Sequence, residues 1–233
     1  MDNKIRLNKY ISVINNKSLP NKAADIIRNM IIKGECPLGS KITEGDFAEA
    51  LGVSRISIRE AFFVLENEGL INRVMNKYTE VANFDRNDID EIYKLRTAIE
   101  ITCLETSMER RLIIIPAMRK QVVVINKMAL SKEQDNIVNW VKEDLYFHEL
   151  LIIQSGNKRA LKIWNSLKNQ IKTLLYTTLA QYPDSIKLEK SNSHSALLDY
   201  IENGDLESAI FNLKTHIMGG YYDEIASISK NNV

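Results

Sequence analysis

Glycine and proline divide this chain into two unequal parts, and that division constrains its fold more than any other feature. Five of the nine glycines lie before residue 70, and only Gly156, Gly204, Gly219 and Gly220 follow. Beyond residue 84 only Pro116 and Pro183 interrupt the chain. Glycine costs backbone entropy in a helix and proline removes a backbone donor, so long stretches without either favour helix. Short elements joined by turns are therefore expected first, and long helices after them.

In the first part Ala23, Ile26, Ile27, Met30 and Ile31 recur at helical spacing up to Gly34. A turn at Pro37-Leu38-Gly39 follows. A short helix from Glu44 to Leu51 carries Phe47, Ala48 and Leu51 on one face, with Gly52 at its C-terminal end. Ser54 is a suitable N-cap for the next helix, from Arg55 to about Glu68, whose apolar face is Ile58, Ala61, Phe62 and Leu65. Leu70–Val74 and Thr79–Ala82 read as two short strands. Helix, helix, turn, helix and hairpin is the order of a winged helix-turn-helix, assigned to residues 1–82.

The second part, residues 83–233, reads as an all-helical bundle of about six helices, near 87–110, 116–130, 136–154, 157–181, 186–203 and 205–228. Short connections favour antiparallel neighbours. The expected fold is thus mainly α. A hydrophobic fraction of 45% and a net charge of +1 exclude a disordered chain. No apolar run approaches the roughly 20 residues that span a bilayer; Leu112–Ile115 stops at Pro116. With a charged N-terminus and two isolated cysteines, Cys36 and Cys103, a cytoplasmic chain with inert thiols is expected. Trp140 and Trp164 fall at core positions, and Tyr221 and Tyr222 read as packing residues.

In a helix starting at Arg55, Arg55 and Arg59 share a face and Ser57 lies near them. Arginine can fork onto guanine or clamp phosphate, and serine bonds either. The residue pattern alone fits a solvated helix face equally well. The segment Gly52-Val53-Ser54-Arg55-x-x-x-Arg59-Glu60-Ala61, with Leu65-Glu66-x-Glu68-Gly69-Leu70 after it and Gly34-x-x-Pro37-x-Gly39-x-x-Ile42-x-Glu44-x-x-Phe47-Ala48 before it, resembles GntR-type bacterial transcription regulators. The resemblance implies that Arg55, Ser57 and Arg59 reach DNA, with Ser54 capping the helix and touching phosphate. Two departures stand out. The wing carries Asn76-Lys77-Tyr78 where relatives place glycine, leaving Lys77 as a phosphate contact, and Gly45 stands where many relatives carry a basic residue.

The three histidines are His148, His194 and His216. Asp144 and His148 are four residues apart on the third bundle helix; His194 and His216 fall on the fifth and sixth, each among apolar residues at helical spacing. Buried imidazole and carboxylate groups need partners, and a divalent cation satisfies all of them; chance pairing is the competing reading. Asp144-x-x-x-His148, Ser155-Gly156-Asn157, His194 and His216 resemble the FCD domain of the FadR-like branch of GntR regulators. That resemblance implies a divalent metal (Zn, Ni, Fe or Mn) held by Asp144, His148, His194 and His216, beside an effector site. Arg96 reads either as a carboxylate ligand of the effector or as an ordinary ion pair with Glu100.

The expected function is a DNA-binding transcription regulator, a homodimeric repressor on a palindromic double-stranded operator, not an enzyme and not membrane-bound. Its effector is expected to be a small organic acid coordinated to the metal. Two other readings stay open: a metal-dependent enzyme with an accessory winged domain, and a regulator whose metal is purely structural.

Overall fold

The computed structural model of the chain describes residues 18–74, 78–129, 135–181 and 188–231. Its contacts cluster into two compact units, Met1–Phe84 and Asp85–Val233.

The first unit contains α1 (Leu19–Ile32), β1 (Lys41–Ile42), α2 (Glu44–Leu51), α3 (Arg55–Asn67), β2 (Ile71–Val74) and β3 (Tyr78–Val81). The winged helix-turn-helix order is as expected. Helix α1 starts before the apolar repeat because Pro20 sits in its first turn, where a missing backbone donor costs nothing. Thr43 caps α2 by accepting from the Asp46 amide. Gly52 ends α2 at φ 65°, a left-handed conformation that side chains disfavour. The sheet has the order β1-β3-β2 with antiparallel pairing, Lys41 opposite Glu80 and Asn72 opposite Glu80. Strand β1 escapes the sequence because two residues carry no period. Ile27, Met30, Phe47, Ile58, Phe62, Leu65, Leu70 and Val81 form one core. Phe47 and Phe62 meet edge to face at 5.8 Å. Arg28 donates to both carboxylate oxygens of Glu68, at 2.6 and 2.7 Å, tying α1 to the end of α3.

The second unit contains α4 (Arg86–Glu109), α5 (Ile115–Ala129), α6 (Asp135–Gln154), α7 (Lys158–Gln181), α8 (Leu188–Glu202) and α9 (Leu206–Asn231). A reciprocal capping box between Asp85 and Asp88 starts α4. Helix α4 packs against α6, α7 and α9, while α8 lies between α5 and α9. That central position explains why α4 buries Arg96, Glu100 and Ser107 along with Ile89, Ile92, Tyr93 and Leu104. Trp140 and Trp164 are buried as expected. Tyr221 packs on Tyr93 and donates to Asp90, and Tyr222, though 65% exposed, packs edge to face on Tyr221 at 5.1 Å. No helix is long and apolar enough to cross a membrane among the described residues.

Candidate functional site

Two groups of polar side chains stand out, one on each unit. On the first, Ser54 takes an extended conformation and its Oγ accepts from the Ser57 amide at 3.1 Å, starting α3. The two hydroxyl oxygens also lie 3.0 Å apart. Ile58, Ala61, Phe62 and Leu65 anchor α3 in the core, which turns Arg55 and Arg59 outward, while Ser57 is half-buried. Ile56 joins this face at 67% exposure. Lys77 lies outside the described residues.

Arg59 is not alone on that face. Its Nε lies 3.2 and 3.1 Å from the Glu44 oxygens, and its Nη2 lies 3.0 Å from Oε2. Glu44 holds the Arg59 guanidinium above its ordinary pKa. Arg73 of β2 donates to the Arg59 carbonyl at 2.9 Å, which links the wing to α3. These partners lie 15 and 14 residues away, and nothing in the local pattern of α3 announces them.

On the second unit Asp144, His148, His194 and His216 converge, with one potential ligand atom from each lying within 4.8 Å of the others. Asp144 and His148 project from one face of α6, and α8 and α9 supply the other two. The first three are at most 3% exposed, and His216 is partly exposed. The Nε2 atoms of His148 and His216 are 3.1 Å apart, and His194 Nε2 is 3.3 Å from Asp144 Oδ1.

The outer partners explain these orientations. His148 Nδ1 is 2.6 Å from Glu100 Oε2, and Arg96 Nε donates to Glu100 Oε1 at 2.8 Å. Burial pushes the Glu100 carboxyl up, but His148 and Arg96 together hold it below its usual value. Glu100 thus remains an acceptor for the Nδ1 proton and leaves the His148 Nε2 lone pair facing the cluster. Ser193 Oγ lies 2.6 Å from His216 Nδ1 and is placed to do the same for that ring.

His194 differs: among the described residues neither ring nitrogen has a hydrogen-bond partner, although the side chain is buried. Burial first, then the nearby His148 and Arg96, push its pKa well below the ordinary histidine value. It is therefore neutral at pH 7, the form that binds metals.

The donor set fits a divalent ion. Three imidazole nitrogens and one carboxylate suit Zn, Ni, Fe or Mn. Adjacent ligands around an octahedral ion with bonds of about 2.1 Å sit about 3.0 Å apart, close to the observed 3.1 and 3.3 Å. A cation would also satisfy the His194 nitrogen that faces the cluster. His216 and Ser193, with Tyr200, Phe211 and Lys214, line an open pocket of about 750 Å³. Arg96 is 3% exposed and committed to Glu100 through Nε, so the expected ion pair is present.

Sequence reasoning missed the pairing of Glu44 with Arg59, Ser193 and the contact of Glu100 with His148. Only the Arg96–Glu100 spacing hinted at the last. The His148–Glu100 pair spans 48 residues and joins two helices.

Comparison with known proteins places both units. Residues 91–218 match the family described as "FCD domain", and residues 19–81 match "Bacterial regulatory proteins, gntR family". The chain is 31% identical over 160 residues to the HTH-type transcriptional regulator YdhC of Bacillus subtilis, covering 65% of this chain and 68% of that one. It is 25% identical over 153 residues to the gluconate operon transcriptional repressor of the same organism, covering 66% and 62%. A GntR transcriptional regulator from Rhodococcus shares the fold at a TM-score of 0.74 and 20% identity, over 90% of this chain and 99% of that chain. The convergence of a winged helix with outward arginines, a helical bundle and these two family matches makes this chain a member of the gntR family of bacterial regulatory proteins, a transcriptional regulator carrying an FCD domain.

Proposed function

We propose that this regulator is a repressor whose operator binding responds to a small carboxylic acid bound at a divalent metal in the second unit. The observation that carries this reading is the convergence of Asp144, His148, His194 and His216, three of them buried, with His194 lacking a hydrogen-bond partner among the described residues. These four residues would hold the ion. A bound divalent ion supplies positive charge and open coordination positions for a carboxylate oxygen. The chain's own residues prepare that site: Glu100 and Ser193 orient His148 and His216, and Arg96 places a buried guanidinium next to Glu100. The pocket beside His216 has room for a small acid.

At the DNA, Arg55, Ser57 and Arg59 read base edges or phosphates from α3, and Ser54 and Lys77 add phosphate contacts. Ile56 presents an apolar surface suited to a thymine methyl group. Two copies of the chain read the two half-sites of a palindrome about one helical turn apart. The gluconate operon relative is itself a transcriptional repressor.

Elemental analysis of full-length protein purified without chelator tests the metal. About one Zn, Ni, Fe or Mn per chain is expected, falling to background in His194→Ala while the circular dichroism of the fold is kept. No metal, even after these ions are added back, would refute the site. A panel of two- to six-carbon mono- and dicarboxylates, read by DNA retardation of the metal-loaded protein, then separates a sensing metal from a structural one. If no acid changes DNA binding, the structural reading replaces the proposed one. That alternative has its own support in the near-complete burial of three of the four residues.

A further inference from the structure

The strongest unexplained arrangement lies where the first two residues of α2 meet the outward face of α3. Arg59 is 62% exposed, and Glu44 is 27% exposed. An ion pair as open as this adds little to stability, because water screens it and ordering two long side chains costs entropy. Its effect is geometric. The guanidinium carries five N–H donors in a planar fork. Glu44 takes the edge formed by Nε and Nη2, through three contacts of 3.0 to 3.2 Å. The opposite end, with Nη1, is the part left to meet DNA. The neighbouring residue acts on the other arginine: a Cβ at Gly45 would sit 3.5 Å from Arg55 Nη2 and 3.8 Å from its Cζ. The Arg55 guanidinium therefore lies beside the start of α2, within ordinary contact distance of where a side chain at residue 45 would begin. Arg73 fixes the same region from the wing side by donating to the Arg59 carbonyl.

We propose that Glu44 is a specificity-determining positioning residue that orients Arg59 so that one defined end of its guanidinium reads one base of the operator. The proposal rests on the reading of α3 as the DNA-reading helix. Glu44 touches no base itself. It removes rotamers of Arg59 that would reach phosphate or a neighbouring base pair, and so converts a general cation into a base reader. Its negative charge also offsets part of the attraction of Arg59 for any DNA backbone. Losing Glu44 should therefore have opposite effects on the two kinds of binding. Selectivity at one base falls, while affinity for DNA of arbitrary sequence stays level or rises. A change that merely damaged the fold would lower both.

The test uses full-length protein and a pool of double-stranded DNA with a randomised central region, taken through rounds of selection and sequenced. Wild type, Arg59→Ala, Glu44→Ala and Glu44→Gln are compared, alongside their affinity for poly(dI-dC). The expected result has four parts. Arg59→Ala loses the preference for one base, normally guanine. Glu44→Ala loses about tenfold of the preference at that same position and no other, a size within the range for one bidentate base contact. Glu44→Gln, which keeps an acceptor oxygen, recovers part of it. Binding of Glu44→Ala to poly(dI-dC) does not weaken. An unchanged preference in Glu44→Ala, with Arg59→Ala altered, would overturn the role of Glu44 and leave the DNA-reading helix standing. A loss at a different base would also overturn it, since Glu44 would then be reading DNA directly. If Arg59→Ala itself selects the wild-type sequence, the assignment of α3 arginines to base reading fails first, and the proposal with it.

Discussion

His148 Nδ1 and Glu100 Oε2 lie 2.6 Å apart with both side chains wholly buried, although 48 residues separate them in the chain. This contact fixes the ring so that Nε2 faces His216. Carboxylates behind a ligating histidine typically contribute 10- to 100-fold in metal affinity. Glu100→Ala should therefore weaken binding of Zn or Ni by about that factor without abolishing it. Competition with a coloured chelator measures this, and equal affinity in the variant would remove Glu100 from the site's support.

Acid should weaken the metal-free protein in a way that depends on His194. Its folded pKa is depressed by burial and by His148 and Arg96. As pH falls below about 6.5, the unfolded chain takes up a proton there that the folded chain refuses. Stability is therefore full above that range and declines below it, by at most about 1.4 kcal/mol per pH unit for one group. Urea denaturation of chelator-treated protein at pH 7.5 and pH 5.5 checks this. His194→Gln should lose less stability between the two than wild type, and an identical loss would show that His194 contributes nothing to the acid response.

Cys36 is buried in the core of the winged unit, and burial, with Glu35 adding to it, pushes its thiol up to about 12. The thiolate is the reactive form, so the thiol should be inert at pH 7.5. Iodoacetamide followed by peptide mass spectrometry should find Cys36 unmodified in native protein and modified in 6 M guanidinium. Rapid native labelling would contradict the burial.

Phe62 is fully buried and meets Phe47 edge to face. Phe62→Ala should destabilise the winged unit by about 3–5 kcal/mol through lost burial and the cavity left behind. Denaturation should show that loss and DNA binding should fall with it. The metal content of the second unit should stay unchanged, since Phe62 belongs to the first unit's core.

Periodicity and punctuation alone determined the order of the elements other than β1. The apolar spacing of Ile58, Ala61, Phe62 and Leu65 makes α3 a helix wherever it sits, and Gly52 and Ser54 bound it through local backbone chemistry. The same holds for the six bundle helices and for the Asp144–His148 spacing on one face of α6, because each depends on residues within a turn or two of one another. The family resemblance, carried by short motifs, brought in His194 and His216 as residues of one site. What the sequence could not determine is which distant side chains meet. The two-residue strand β1 forms only because β3 lies beside it. Glu44 finds Arg59, Glu100 finds His148, and Ser193 finds His216 through the packing of separate helices. Helix packing brings these side chains within 3.2 Å of one another across 15, 48 and 23 residues, and no periodic pattern encodes such a meeting. The sequence thus determined the elements and named most of the candidate residues, whereas only the tertiary structure decided which groups orient them.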